Sequence, residues 1–171
     1  MKKFTILLFL FNILLFSNGS AAQNSTNDQI YIYKKGDYNG IGKWYMGREI
    51  AYVMGYEGIG WLERSQREKE ENVSKLIQNM GIKPNDTIAD IGAGSGYHAF
   101  RMAPLANKGM VYAVDIQTEM LMAIENSKET NNIKNIKTIL GGEKSVYLAK
   151  NSVDKILMVD VYHEFSFPIE M

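Results

Sequence analysis

The sequence predicts an α/β fold, an open parallel sheet with helices on both faces. Three observations lead there. From residue 82 onward, short apolar runs at 87–91, 110–114, 136–140 and 155–159 alternate with segments of helical period. Strands separated by helices pair in parallel through right-handed crossovers, which gives an open layered sheet rather than a barrel or sandwich. The first of these strands ends in an acid and runs into a loop with glycine at every second position, Asp90-Ile91-Gly92-Ala93-Gly94-Ser95-Gly96, before the next helix.

Residues 1–22 stand apart from the fold. Lys2 and Lys3 precede an apolar run over 4–16, and Ser20-Ala21-Ala22 offers small residues at a cleavage position, the layout of a secretory signal peptide. Export to a periplasmic or secreted location is the expectation. The alternative is a membrane-anchored form that keeps the segment, although the run falls short of the roughly 20 residues of a permanent span. Residues 23–29 are polar throughout, and 23–30 read as a linker.

The segment 31–81 is expected to be a helical, aromatic-rich lid. Seven of the 15 glycines, six of the 10 tyrosines and both tryptophans lie between 31 and 61. Met46, Ile50, Val53 and Met54 recur at helical spacing, which predicts a short helix carrying Arg48 and Glu49. Such a segment is either a lid over a ligand or a structural cover on the core. Over 63–81 a longer amphipathic helix is predicted, with Glu63–Arg67, Arg64–Glu68 and Arg67–Glu71 spaced for pairing on a solvated face. Its apolar set is Val73, Leu76, Ile77 and Met80, and Gly81 closes it.

Within 82–171 the expected elements are strands at 87–91, 110–114, 136–140 and 155–159, with helices at 97–106 (disturbed near Pro104) and 116–128. Met120, Leu121 and Ile124 form the inward face of the second helix. The last strand is nearly all apolar, as a strand buried on both faces should be.

Composition narrows the function classes. Nineteen basic residues balance 19 acidic ones, so no strong field gathers nucleic acid, and membrane contact is expected only through an uncleaved signal segment. With no cysteine there are no disulfides, and the two histidines, His98 and His163, lack ligand-like neighbours for a metal. The sequence sets no oligomeric state.

The glycine loop carries the chemistry. Glycine permits a sharp turn and removes Cβ atoms that would hold a cofactor away from the backbone. Asp115 closes the next strand, where a carboxylate reaches two ribose hydroxyls across the crevice at the strand ends. A dinucleotide fingerprint needs its third glycine at position 97, which is Tyr97 here, and Asp90 would repel a pyrophosphate. An ammonium-bearing cofactor suits that acid better.

These residues resemble the class I S-adenosylmethionine-dependent methyltransferase family, whose fold is Rossmann-like. Residues 90–96 look like its acid-x-G-x-G-x-G loop, 111–115 like its ribose strand, and 151–160 like its fourth-strand region. The resemblance implies S-adenosylmethionine as cofactor, with Asp90, Gly92, Ala93, Gly94 and Gly96 around its methionine part and Asp115 with Ile116 at the ribose. It implies Glu143 near the adenine and Asp160 where cofactor and acceptor meet. His163 or Glu164 is the candidate base, with a structural role as the alternative for His163. A small-molecule acceptor is the first expectation and a protein side chain the second. The class carries three more strands after the fourth, so a shortened product with weak or absent turnover is also expected. The remaining alternatives are a noncatalytic exported nucleoside-binding domain and an NAD-dependent oxidoreductase.

Overall fold

The computed structural model describes residues 30–171. The signal-peptide reading and all but the last residue of the expected linker lie outside the described residues. Among the described residues, no helix is long and apolar enough to cross a membrane.

The chain opens with a three-stranded antiparallel sheet, β1 (Tyr31–Tyr33), β2 (Gly40–Tyr45) and β3 (Arg48–Ala51), in the order β1-β2-β3. This corrects the helix expected around Met46–Met54. The pairs Trp44↔Glu49 and Tyr45↔Arg48 close on a two-residue turn, Met46-Gly47, with φ of 49° and 80°. Two successive positive φ values make the primed hairpin turn and forbid a right-handed helix through the same residues. Only Ile50 of the supposed apolar face is buried, and Met46 is 84% exposed. Glu49 ties β3 to β2 and to the loop before it, accepting from Gly42 N at 2.9 Å and Asp37 N at 2.7 Å.

Short helices follow. After a 3₁₀ turn at Tyr56–Gly58 come α1 (Ile59–Leu62), α2 (Arg67–Glu71) and α3 (Val73–Asn79). The long helix expected over 63–81 is broken at Asn72, which takes the left-handed conformation at φ 52°, ψ 49°. Asparagine tolerates that region better than most residues. Asn72 N still donates to Glu68 O, and the Glu68 carboxylate receives Ser74 N at 3.1 Å, so both sides of the break are satisfied. Val73 and Ile77 are buried as the periodicity predicts.

The main sheet is parallel, with β4 (Thr87–Ile91), β5 (Met110–Asp115), β6 (Ile136–Leu140) and β7 (Lys155–Leu157) in the order β6-β5-β4-β7. The reversal of direction between β4→β5→β6 and the return to β7 puts a crevice at the C-terminal ends of β4 and β5. Residues of α3, α4 (Ala99–Met102) and α5 (Thr118–Thr130) join Ile88, Val111, Ala113, Ile136 and Leu157 in one core. Helices on both faces were expected, and the described residues put them on one. The reason is the β6–β7 connection, residues 141–154, which forms no helix. The opposite face, with Ala89, Ile91 and Val114, is covered instead by Val146, Leu148, Val153, Phe165 and Met171.

β7 also departs from expectation. It is an edge strand and is not buried on both faces: Leu157 faces the core while Ile156 is 58% exposed. The helix expected over 97–106 shrinks to α4 and continues as turns, with Ala106 N still donating to Met102 O beyond Pro104.

The two sheets are held together by the chain's C-terminal residues. Tyr31 is buried, donates to Glu170 Oε2 at 2.5 Å and stands edge-on to Phe167 with centroids 5.9 Å apart. Lys43, also buried, donates to Ser166 O at 2.5 Å beneath the Tyr31 and Phe167 rings. An ammonium against aromatic faces, with one carbonyl partner, can be kept out of water at tolerable cost. Burial lowers its pKa from the ordinary lysine value.

Candidate active site

A cleft of about 990 Å³ of open space, its solvent mouth included, runs over the C-terminal ends of β4 and β5. Ligand sites in open α/β sheets occupy this position. Its floor is the loop 91–94 with Val114 and Asp115; Val53, Met54, Trp61 and Leu62 come from the N-terminal segment, and Asp160, Glu164 and Phe165 from the stretch after β7.

The loop's shape follows from its hydrogen bonds. Gly92 N and Ala93 N both donate to Val114 O, at 2.8 and 3.0 Å, which folds the chain back across the end of β5. Gly92 and Gly94 stand at φ 71° and 54°, and a Cβ on them would come within 2.2 Å of Val161 Cγ2 and 2.8 Å of Leu62 Cδ1. Side chains there would therefore drive residues of the cleft lining apart. Ser95 Oγ donates to Glu63, so Glu63 meets the loop rather than Arg67 as the spacing had predicted.

Asp115 is the best-organised acid of the cleft. Its Oδ2 accepts from Gly94 N and its Oδ1 from Gln117 N, both at 2.9 Å. Burial raises its pKa, and the Gln117, Gly94 and Ile116 amides oppose that rise. The carboxylate is thus aimed by backbone on both sides, with lone pairs left for hydroxyls in the cleft. Ile116 lies beside it, 42% exposed, on the lining.

Asp90 occupies a different level. It is only 2% exposed, faces the helical side of β4, does not line the cleft, and its Oδ2 has no partner. Burial, with Asp115 adding repulsion, pushes its pKa up to about 7 against the pull of the Ala99 amide and Arg67. Gly96, at φ 84°, packs on Phe100 and Ile124 below the cleft floor. Asp90 and Gly96 therefore support the loop from beneath, whereas Gly92, Ala93 and Gly94 line the cleft.

The remaining expected residues separate sharply. Glu143 stands at the exposed rim, where Gly142 and Ser145 close a small bridge. Asp160 lines the cleft in the left-handed region at φ 51°, an uncommon state for a non-glycine residue that marks a constrained turn. Glu164 lines the cleft with its side chain 13% exposed, its pKa pushed up to about 7 by burial, then by Asp115 and Asp160. His163, one residue earlier on the same 3₁₀ turn, is 46% exposed and is not on the lining. Of the two candidate bases, the cleft contains only Glu164.

Arg67, His98 and Gln117 line the cleft without having been expected there. Arg67 was expected on a solvated face but is 4% exposed, with Nε donating to Glu71 and Nη1 to Leu62 O, each at 2.8 Å. Arg64, expected to pair with Glu68, holds Glu70 and Glu71. His98 is 5% exposed with Nε2 unpartnered, and burial followed by the Arg67 charge lowers its pKa to about 4. Gln117 bridges the two halves of the site: its side chain accepts from Tyr56 N and donates to Met54 O, both at 2.9 Å. Its place two residues after the strand-ending Asp115 was the one available signal.

This donor set fits a nucleoside whose diol meets an oriented carboxylate and whose remainder lies against side-chain-free backbone. Comparison with known proteins agrees. A family model described as a methyltransferase domain matches residues 82–170. A probable cobalt-precorrin-6B C(15)-methyltransferase (decarboxylating) of Methanosarcina mazei is 27% identical over 88 residues, covering 52% of this chain and 48% of that protein. A protein-L-isoaspartate O-methyltransferase of Ruegeria sp. is 30% identical over 69 residues, covering 40% and 31%. The chain thus spans about half, or less, of the curated relatives it matches. A solved S-adenosylmethionine-dependent methyltransferase from Aquifex aeolicus superposes with a TM-score of 0.65 at 28% identity, over 69% of this chain and 63% of that one. Because the methyltransferase-domain match spans more than half of the sequence, the chain belongs to the class I S-adenosylmethionine-dependent methyltransferase family.

Proposed function

We propose that this protein transfers a methyl group from S-adenosylmethionine to a small-molecule acceptor. The observation that carries the reading is Asp115, held at the end of β5 by the Gly94 and Gln117 amides and facing the cleft. In that role it would accept from the ribose hydroxyls with Ile116 beside it, with Gly92, Ala93 and Gly94 against the methionine part and Glu143 toward the adenine. When bound, the cofactor supplies a sulfonium methyl, already an excellent electrophile.

What the protein must add is placement and dryness. Val53, Met54 and Trp61 line the cleft and would shield a bound cofactor from water, and Gln117 ties their segment to the end of β5 through Met54 O and Tyr56 N. Glu164 is the group placed to take the acceptor's proton, since its raised pKa makes it a competent base near neutral pH. Asp90 would act through the loop, holding Ala99 and the turn above it.

Calorimetric titration with S-adenosylhomocysteine and NAD tests the cofactor. The homocysteine compound should bind, NAD should not, and Asp115→Ala should weaken the nucleoside by at least about tenfold, the value of charged hydrogen bonds to a diol. Undiminished affinity in that variant would remove Asp115 from the ribose.

A further inference from the structure

We propose that the acceptor is an amine arriving as an ammonium ion, and that Glu164 and Asp160 form the anionic wall that receives it. This rests on the methyl-transfer reading above and names its substrate class. Four carboxylates line the cleft: Asp115, Asp160, Glu164 and, at its exposed rim, Glu143. Asp115 is spoken for by two amides and the nucleoside diol, and Glu143 is assigned toward the adenine, which leaves Asp160 and Glu164 for the acceptor.

The cleft has no free cation among its described lining residues to balance them. Its basic members are Arg67 and His98. Arg67 is committed to Glu71 and to Leu62 O. His98 is 5% exposed and kept neutral by burial and Arg67, so it offers no charge. Around the rim, Arg64 pairs with Glu70 and Glu71 against Trp61, Arg48 faces the Tyr162 ring at 5.6 Å and Lys144 lies over Phe167. The basic group within reach of Glu164 is His163, with Nε2 3.7 Å from Oε1 and its side chain on the solvent side.

A second observation points independently to a polar ligand. His98 Nε2 is buried without a hydrogen-bond partner in a residue that lines the cleft, and a buried nitrogen is rarely left unpaired. A neutral imidazole that feels the Asp160 charge, with Nε2 as an acceptor, matches a ligand carrying N–H groups. A carboxylate acceptor would instead add a third negative charge to the wall, the arrangement that specificity by repulsion uses against a wrong partner. Trp61, Phe165 and Met54 supply apolar surface for the carbon skeleton.

The step balances. The ammonium gives one proton to the Glu164 carboxylate; the amine lone pair then forms the N–C bond as the methyl C–S bond breaks and its electron pair returns to sulfur. The products are an N-methylammonium ion, the neutral thioether and a protonated Glu164 that releases its proton to solvent.

Size-matched probes test this by calorimetry on the whole chain saturated with S-adenosylhomocysteine. Phenethylammonium should bind at least about tenfold more tightly than 3-phenylpropanoate. Glu164→Gln should lower the ammonium affinity by about fivefold or more and leave S-adenosylhomocysteine affinity within about twofold. Asp160→Asn, at an exposed position, gives the same readout should the first variant fold poorly. Equal affinity for the two probes, tighter binding of the carboxylate, no measurable binding of the ammonium, or full retention of its affinity in both variants would overturn the proposal. Failure of the unaltered chain to bind S-adenosylhomocysteine would overturn the methyl-transfer reading itself, and this inference with it.

Discussion

Asp90 and His98 are buried, lack a partner on one polar atom each, and titrate in opposite senses. Asp90 holds its proton to about pH 7 in the folded chain, against an ordinary value near 3.8. Its contribution to stability is full below the ordinary value and is lost as pH rises through 7, because the unfolded chain releases that proton earlier. His98, depressed to about 4 from 6.5, stabilises the fold above 6.5 and loses that contribution as pH falls through 4. Between about pH 4 and 6.5 the two slopes oppose, and above 6.5 the carboxyl alone remains. Asp90→Asn removes the acid's slope. The stability of the wild type relative to this variant should fall by on the order of 2 kcal/mol between pH 5 and pH 8 in urea titrations. A pH-independent difference would show that the native carboxyl is already ionised.

Elements that rest on local period were legible, and those that rest on backbone exceptions were not. The strands 87–91 and 136–140 and the inward set Met120, Leu121 and Ile124 emerge where the pattern puts them, because a strand between two helices leaves few alternatives. The 44–51 hairpin was missed because Met46, Ile50 and Val53 satisfy a helical spacing by coincidence, while the deciding fact, two positive φ values, lies in Met46-Gly47. At that turn Met46→Asn should stabilise and Met46→Val destabilise, each by about 1 kcal/mol, since the side chain is exposed and only its backbone preference changes. Chemical denaturation midpoints would register both shifts, and matching midpoints would refute the turn assignment. The candidate site shows the same division. Asp115 announced itself by ending a strand, but Arg67 looked like a surface charge: its pairing with Glu71 was legible in the i,i+4 spacing, whereas its burial and its bond to Leu62 O were not. Glu164 and His163 are neighbours in sequence, and only the 3₁₀ turn after β7 decides which one enters the cleft.

Taken whole, the molecule is two sheets joined by residues 165–171, and the seam is polar at its centre. Tyr31→Phe deletes the bond to Glu170 and leaves the ring packing intact, a loss of about 1 kcal/mol. Amides of residues 169–171 should exchange with solvent faster in that variant, while those of β4 and β5 keep their protection; unchanged exchange at 169–171 would show that ring packing alone holds the seam. The partners in that seam are separated by 139 residues for Tyr31 and Glu170 and by 123 for Lys43 and Ser166. Contacts of such span form late, after the loop entropy between them has been overcome. On the ribosome the first strand must therefore wait, its aromatic face uncovered, until residue 170 has emerged, which makes the interval before that moment the one in which a chaperone has something to hold.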